Sequence, residues 1–353
     1  MQTKKNLNKQ IQNIIYMKNY INFYTYMKIC LYNKKYGYYY NSIKNIGKEG
    51  DFITAPEIGF LFSTCLSIEI HKILKKLNGG YVIEIGAGTG TLAYKILSQF
   101  TTLNTPCQGY KIIEISKKLK IIQKNFLKKK FIQYKVKWIN TLKKYTNLKG
   151  VIICNEVLDA LPNYAFKINN NKLSEKIITL NLFNKLQWSN IIASNTLTKY
   201  IKYINLKSNK YESEINLLLY PWIKNISSIL NKGYIFFFDY GYIRKEYYNN
   251  LRHQGMIICH YKHYATKNIF LNQGFQDITT HVDFTSIYEA IKINNMNYIN
   301  FTNLSKFLLK FNLKKIIKIN NKNTKKIYKE INKLISPLEM GEVFKMIFCE
   351  KKI

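Results

Sequence analysis

The sequence predicts an α/β fold built on a mostly parallel sheet, and three observations carry that prediction. Tyr81 to Ile85 is a β-branched, apolar run of the kind a buried strand shows. Gly86, Gly88 and Gly90 make a tight turn directly after it, and Thr91 to Phe100 continues with the spacing of an amphipathic helix. Further on, Val151 to Asn155 (VIICN) and Tyr234 to Asp239 (YIFFFD) are continuously apolar, as parallel strands covered on both faces are.

Strand, glycine turn and helix in that order let a ligand approach the backbone, because a residue without Cβ takes positive φ and leaves no side chain in the way. The spacing sorts the ligands. A dinucleotide fingerprint, G-x-G-x-x-G, needs its third glycine where this chain has Thr91. No Gly-Lys-Ser/Thr follows the turn, which excludes a P-loop. Glu84, inside the strand, suits a cofactor with a cationic amino-acid end, and S-adenosylmethionine (SAM) has one. Glu114 ends the next strand, Tyr110 to Ile115, 24 positions after Gly90. A carboxylate there accepts hydrogen bonds from ribose hydroxyls in doubly wound sheets. The competing reading is a core strand and glycine turn in some other α/β enzyme.

A chain of 353 residues with 47% hydrophobic content can bury a sizeable core. It contains no run of 18 apolar residues, so no membrane-spanning helix is expected. The formal charge of +35 invites a nucleic-acid reading, since Lys and Arg neutralise phosphates. Against it, only Arg244 and Arg252 are arginines, and the lysines are scattered, as compositional drift toward Lys, Asn, Ile and Tyr would leave them. Six cysteines with no C-x-x-C suit a reducing compartment and argue against a disulfide framework or zinc knuckle. Cys259, His260 and His263 form the densest group of soft ligands; they are expected to be loop residues rather than a metal site.

Taken in order, Met1 to Lys48 contains no acid, and its first twenty residues look like a presequence with lysine in place of arginine. An ordinary N-terminal helix is preferred, with helical spacing again at Tyr26 to Tyr32 and a short strand at Gly37 to Tyr40. Thr54 to Glu57 resembles a helix start, with Pro56 and Glu57 suited to the first turn and the helix running to about Leu77. A helix is expected over Ser116 to Lys128 and a third strand over Val136 to Ile139. The polar region Tyr164 to Tyr211 predicts an inserted hairpin turning at Asn169 to Asn171. A helix from Asn216 to Leu230 then breaks at Gly233 before the fifth strand. Helices at Ser286 to Ile293, Asn303 to Phe311 and Thr324 to Leu334 precede a closing strand, Val343 to Glu350, at the antiparallel end of the sheet. The organisation expected is a helical segment covering the site (1–79), a SAM-binding core (80–260) with an insertion at about 164–211, and a substrate-side helical elaboration with the closing strand (261–353).

With these residues in hand the chain resembles the MidA-like SAM-dependent methyltransferases, a family that includes a mitochondrial complex I assembly factor. The resemblance runs from about Tyr26 to the end. It rests on GYYY at Gly37, GDFITAPEI at Gly50, EIGAGTGTL at Glu84, EIS at Glu114, NEVLDALP at Asn155, FDYGY at Phe238, GFQDITTHVDFT at Gly274 and PLEMGEVFKMI at Pro337. It implies a class I SAM-methyltransferase, Rossmann-like fold and methylation of protein arginine, with a respiratory complex I subunit as the substrate. The chain departs from the family at Thr89, where Arg or Lys is usual, and in having less Pro and Gly between His263 and Gly274.

Methyl transfer from a sulfonium is an in-line displacement and needs no covalent nucleophile, only acceptor and methyl carbon held in line. The backbone of Gly86, Gly88 and Gly90 is expected at the methionyl part of SAM, Glu84 at its amino end and Glu114 at the ribose. Asn155 joins the cofactor side, and Asp51 and Phe52 close the pocket if their loop folds over. A guanidinium is best oriented by carboxylates; Glu156, Asp159 and Glu57 are the catalytic candidates. Their structural alternatives are a helix N-terminal acid, a cap and a first-turn acid. Asp277, His281 and Asp283, in QDITTHVDF, are expected on the substrate side. A SAM-binding scaffold with incidental methylation is the alternative function. RNA methylation ranks lower, because Asn155-Glu156-Val157-Leu158 stands where amino-directed nucleic-acid enzymes place N/D-P-P-Y. The expected compartment is the cytoplasm for a bacterial source, with the mitochondrial matrix as alternative, and a homodimer is left open.

Overall fold

The computed structural model describes residues 2–41, 50–51, 53–127, 130–139, 146–206, 208–320 and 324–352. Its central sheet contains β1 (Gly80–Ile85), β2 (Cys107–Ile113), β3 (Lys137–Ile139), β4 (Leu148–Asn155), β5 (Leu230–Tyr242), β6 (Asn297–Asn303) and β7 (Phe344–Lys351). The spatial order is β6-β7-β5-β4-β1-β2-β3, with a two-residue strand, Val282–Asp283, beside the end of β5. β1 to β5 pair in parallel, and β7 alone runs the other way between β5 and β6. The chain leaves β1 toward β3 on one side and returns to β4 on the other. That reversal opens a crevice at the carboxyl ends of β1 and β4, where ligands bind in such sheets.

The apolar runs are continuous because both sheet faces are covered. Val82, Val151, Ile153, Phe236 and Phe238 pack on one face, in the core that also takes residues of helices Leu61–Lys76 and Thr91–Leu103. The alternate residues Ile83, Ile152, Cys154, Ile235 and Phe237 share the other core with helices Leu219–Ser227 and Phe284–Ile293. The register Glu84↔Ile153, Ile85↔Cys154 and Phe238↔Asn155 brings the ends of β1, β4 and β5 level. Acids at or just beyond those ends therefore share one edge.

Several expectations are corrected. Gly37 to Tyr40 is not a strand: Tyr38–Asn41 is one helical turn, entered through Asn33, whose side chain accepts the Lys35 and Tyr36 N–H groups. The helix expected from Thr54 to Leu77 is two helices, Ala55–Ile58 and Leu61–Lys76. Glu330, from helix Thr324–Ile335, accepts the Leu61 N–H at 2.6 Å, and a Cβ on Gly59 would overlap that carboxylate. A group 269 positions away thus sets the break. Gly233 lies inside β5, which begins at Leu230. The closing strand is not at the edge; β6, which polar alternation hid, is.

The insertion is more than a hairpin. Tyr164–Asn169 and Lys172–Leu180 do turn at Asn170 and Asn171, both at positive φ. Leu186–Ile192, Lys210–Ile215 and the N-terminal Ile21–Asn22 complete a five-stranded sheet. Cys259 and His260 lie on strand Ile258–Tyr261 and point to opposite faces, Cys259 into an apolar core with Cys30 and Tyr26. His263 sits in the turn that follows, at positive φ.

Candidate functional site

A cavity of about 440 Å³ opens at the carboxyl ends of β1, β2 and β4, within the size range of small-molecule sites. Its floor is the glycine turn. Gly86, Gly88 and Gly90 have φ of +68°, +53° and +86°, a region closed to most side chains. The Gly86 N–H is tied to the Ile113 carbonyl at 2.9 Å, fixing the turn to β2. Added to Gly86, a Cβ would come within 3.3 Å of Val157.

Glu84 lines the cavity while almost wholly buried, and the Tyr110 hydroxyl donates to its Oε2 at 2.6 Å. Burial, with Glu114 nearby, pushes its pKa up to about 7 against the Tyr110 bond. A cationic group arriving there would restore the ionised form. Glu114 is held by the Ser116 N–H at 2.9 Å and Gln123 Nε2 at 3.1 Å. Gln123 also donates to the Gly88 carbonyl and accepts from Trp138 Nε1, so one side chain joins the turn to the acid. Asn155 lines the cavity with its Oδ1 buried and no partner among the described residues. Positive-φ backbone, an acid at each end and an acceptor awaiting a donor fit SAM.

Glu156 follows β4 at φ +51°, a left-handed conformation uncommon for glutamate. Its Oε1 accepts from the Ala55 N–H at 3.3 Å and from Asn155 Nδ2 at 3.2 Å. Burial raises its pKa to about 8, with Asp159 and Glu57 adding repulsion. Glu57 also lines the cavity, in the first turn of helix Ala55–Ile58, and accepts from Thr89 Oγ1 at 3.0 Å. The hydroxyl of Thr89 thus meets Glu57 where the family usually has a cation. Lys95, one helical turn further, donates to the Pro56 and Gly59 carbonyls and holds that segment in place.

Asp159 lies behind this wall rather than on it. Its N–H and that of Leu158 donate to Asp239 Oδ2, its carbonyl accepts from the Thr280 N–H, and its Oδ1 is buried without a partner among the described residues. Burial and the charges of Asp239 and Asp277 push its pKa well up. Asp277 is buried too, accepting from the cavity-lining Tyr39 hydroxyl at 3.0 Å. The other expected residues fall elsewhere. Asp51 is off the cavity, its carboxylate taken by the Tyr38 hydroxyl and the Lys262 N–H. Phe52 lies outside the described residues. Asp283 caps helix Phe284–Ile293 and pairs with Arg244 at 3.1 Å. His281 stacks on Tyr242, and burial lowers its pKa to about 4, so it is neutral.

Composition concealed other residues. Tyr24, Tyr32 and Tyr39 form an aromatic wall, with Trp222 also on the cavity. In a chain with 29 tyrosines nothing marks those three. Asp239 carried a readable signal, an acid at the carboxyl end of an apolar strand. It is fully buried, and burial with the charge of Glu156 raises its pKa.

The fold agrees with known proteins. Over 99% of its length the chain superposes, at TM-score 0.92 and 28% identity, on 92% of a COG1565 superfamily member from Burkholderia thailandensis bound to S-adenosyl-homocysteine. A native structure of a COG1565 superfamily protein from the same organism gives TM-score 0.89 at 28% identity, with the same coverage. The chain is 23% identical to "Protein arginine methyltransferase NDUFAF7 homolog, mitochondrial" of Caenorhabditis elegans over 76% of its length and 67% of that protein. Against the Bos taurus protein arginine methyltransferase NDUFAF7 it is 39% identical, over 28% of this chain and 24% of the other. The family profile "Putative S-adenosyl-L-methionine-dependent methyltransferase" matches residues 65–302, more than half of the chain. The chain therefore belongs to this family of MidA-like, SAM-dependent methyltransferases, and its cofactor is SAM.

Proposed function

We propose that this methyltransferase acts on an arginine of a protein, with a respiratory complex I subunit as the substrate the family resemblance implies. One observation carries the reading: Glu156, Asp159, Asp239 and Asp277 are gathered at or behind one wall of the cavity, and among the described residues none of them joins an ion pair. Burying acids without cations holds them protonated and is costly. A guanidinium, planar and always charged with five donors, is the side chain that relieves it. In names, the nematode and bovine relatives are protein arginine methyltransferases.

SAM supplies an electrophilic methyl carbon. Residues of this chain bind and orient: the glycine turn and Glu84 at the methionyl end, Glu114 at the ribose, Asn155 beside them. Glu156, ionised, would hold the guanidinium and take up the proton that its nitrogen releases as the new C–N bond forms and the methyl carbon's bond to sulfur breaks, the sulfur leaving with that electron pair as a neutral thioether. The test is to incubate the full chain with methyl-labelled SAM and a lysate. Label is expected on arginine of one or a few proteins; label in RNA or lipid would overturn the assignment.

Two further outcomes are expected. Glu114→Gln keeps the Ser116 contact but loses charge-assisted acceptance, so SAM affinity should fall by about 1.5–3 kcal/mol in calorimetry. A loss under roughly 0.5 kcal/mol would place the ribose elsewhere. Burial raises the Glu84 pKa to about 7, so below that pH it carries a proton before ligand binds. Pairing with an ammonium lowers that pKa, so binding should release protons, and affinity should climb as pH rises from about 5.5 to 7. Calorimetry in buffers of different ionisation enthalpy reads this directly. Proton uptake, or a Glu84→Gln variant with the same release, would count against the assignment.

A further inference from the structure

The inserted sheet ends in a strand whose outer edge pairs with no other described strand. Leu186–Ile192 pairs with Lys172–Leu180 in unbroken register, from Ser174↔Ile192 to Leu180↔Leu186, and with no other described strand. Its outer edge presents a row of backbone N–H and C=O groups. Proteins protect such edges with lysine, proline or a bulge. With 55 Lys and Arg in 353 residues this chain has lysine everywhere, yet none lies between Lys185 and Lys199, nor any acid or proline. The comparison within the molecule is the edge strand β6, which is also uncharged but carries a register break between Tyr298 and Asn300. A bulge of that kind blunts pairing. Leu186–Ile192 has no such break.

The apolar side chains beside this edge are exposed at both of its ends. Ile192 is 91% exposed at one end, and Leu182 and Phe183 are 99% and 81% exposed in the turn at the other. That turn is held in place: Gln12 donates to the Asn184 carbonyl at 2.7 Å and the Tyr16 hydroxyl to Asn184 Oδ1 at 2.6 Å.

We propose that Leu186–Ile192 pairs antiparallel with the same strand of a second copy of this chain, about a two-fold axis near Ser189, joining two five-stranded sheets into one of ten strands. The occupant follows from charge and symmetry. Two copies at +35 repel, so they can meet closely only where charge is absent. An antiparallel two-fold also brings Ile192 of each copy beside the other's Leu186 and its Leu182–Phe183 turn, so the exposed apolar groups cover one another. An acidic partner protein would select lysines, which this edge lacks.

Sedimentation of the full chain tests the proposal. At about 10 µM the wild type should weigh twice 41.8 kDa. Asn190→Lys with Ile192→Lys, both on exposed side chains, should return it to one chain with an unchanged melting temperature. Because like charges oppose the pairing, the dimer should tighten several-fold as salt rises from about 50 to 300 mM. As a second reading that needs no loss of folding, Ser189→Cys, which the two-fold sets opposite itself, should give an interchain disulfide on mild oxidation, since five of the six native cysteines are buried. A monomer at about 100 µM, a dimer untouched by the double lysine variant, association that appears only with lipid vesicles, or absence of the crosslink would each overturn the proposal.

Discussion

Gly88→Val is expected to remove measurable SAM binding from a chain that still folds. Gly88 lines the cavity at φ +53°, between the Gly86 N–H tied to β2 and the Gly90 that starts helix Thr91–Leu103. A branched side chain there meets two obstacles. The left-handed backbone costs an L-residue about 1–2 kcal/mol, small beside the 5–15 kcal/mol that holds a typical domain together. The larger effect is steric, because Cβ and its methyl groups enter the space that the methionyl part of the cofactor needs. Calorimetry should show affinity reduced by more than two orders of magnitude, with Gly88→Ala intermediate and both melting within a few degrees of wild type. Wild-type affinity in folded Gly88→Val would mean that the cofactor passes elsewhere.

What the sequence made legible follows from how local each signal is. The glycine turn, Glu84 and Glu114 depend on spacing within a strand, a turn and the next strand, and the structure places Gly86, Gly88, Glu84 and Glu114 on the cavity, with Gly90 facing Gln123 and Leu127 instead. Glu156 was readable because the apolar run Val151–Cys154 carries β4 to Asn155 and the acid follows directly after that strand. Asp51 misled because its motif lies next to the site in sequence, whereas its carboxylate is claimed by Lys262, 211 positions away. Asp283 misled for a local reason: standing immediately before helix Phe284–Ile293 it is the helix cap, and Arg244 takes the remaining oxygen. Asp277 and Asp159 are brought together by tertiary packing, which no pattern along the chain encodes. The tyrosine wall was hidden by composition, since a residue type repeated throughout carries no positional information.

Glu156→Gln is expected to lower arginine methylation by two orders of magnitude or more while SAM affinity stays within about threefold, the scale seen when a transition-state-positioning group is lost. The substitution is nearly silent structurally. A glutamine oxygen can still accept from the Ala55 N–H and Asn155 Nδ2, which hold Oε1 of the native acid. What disappears is the charge that a guanidinium would draw out and the site that takes its proton. Burial holds the native carboxyl near pKa 8 before substrate binds, so kcat/KM should rise with pH toward about 8, where the free enzyme ionises. The variant should lack that limb. Melting gives an independent check with a definite sign. A carboxyl raised from its unfolded pKa near 4.3 to about 8 binds more protons when folded, so stability falls as pH rises between those values. Removing Glu156 should flatten this decline by up to about 1.4 kcal/mol per pH unit. Complementation separates enzyme from scaffold: full rescue of a complex I assembly defect by Glu156→Gln with no methylation would assign the chain a SAM-binding assembly role. Unchanged methylation, with the pH limb intact, would instead leave Glu156 as an acid at the start of the loop after β4 and move the positioning role to Glu57, which shares its wall of the cavity, or to Asp159 behind it.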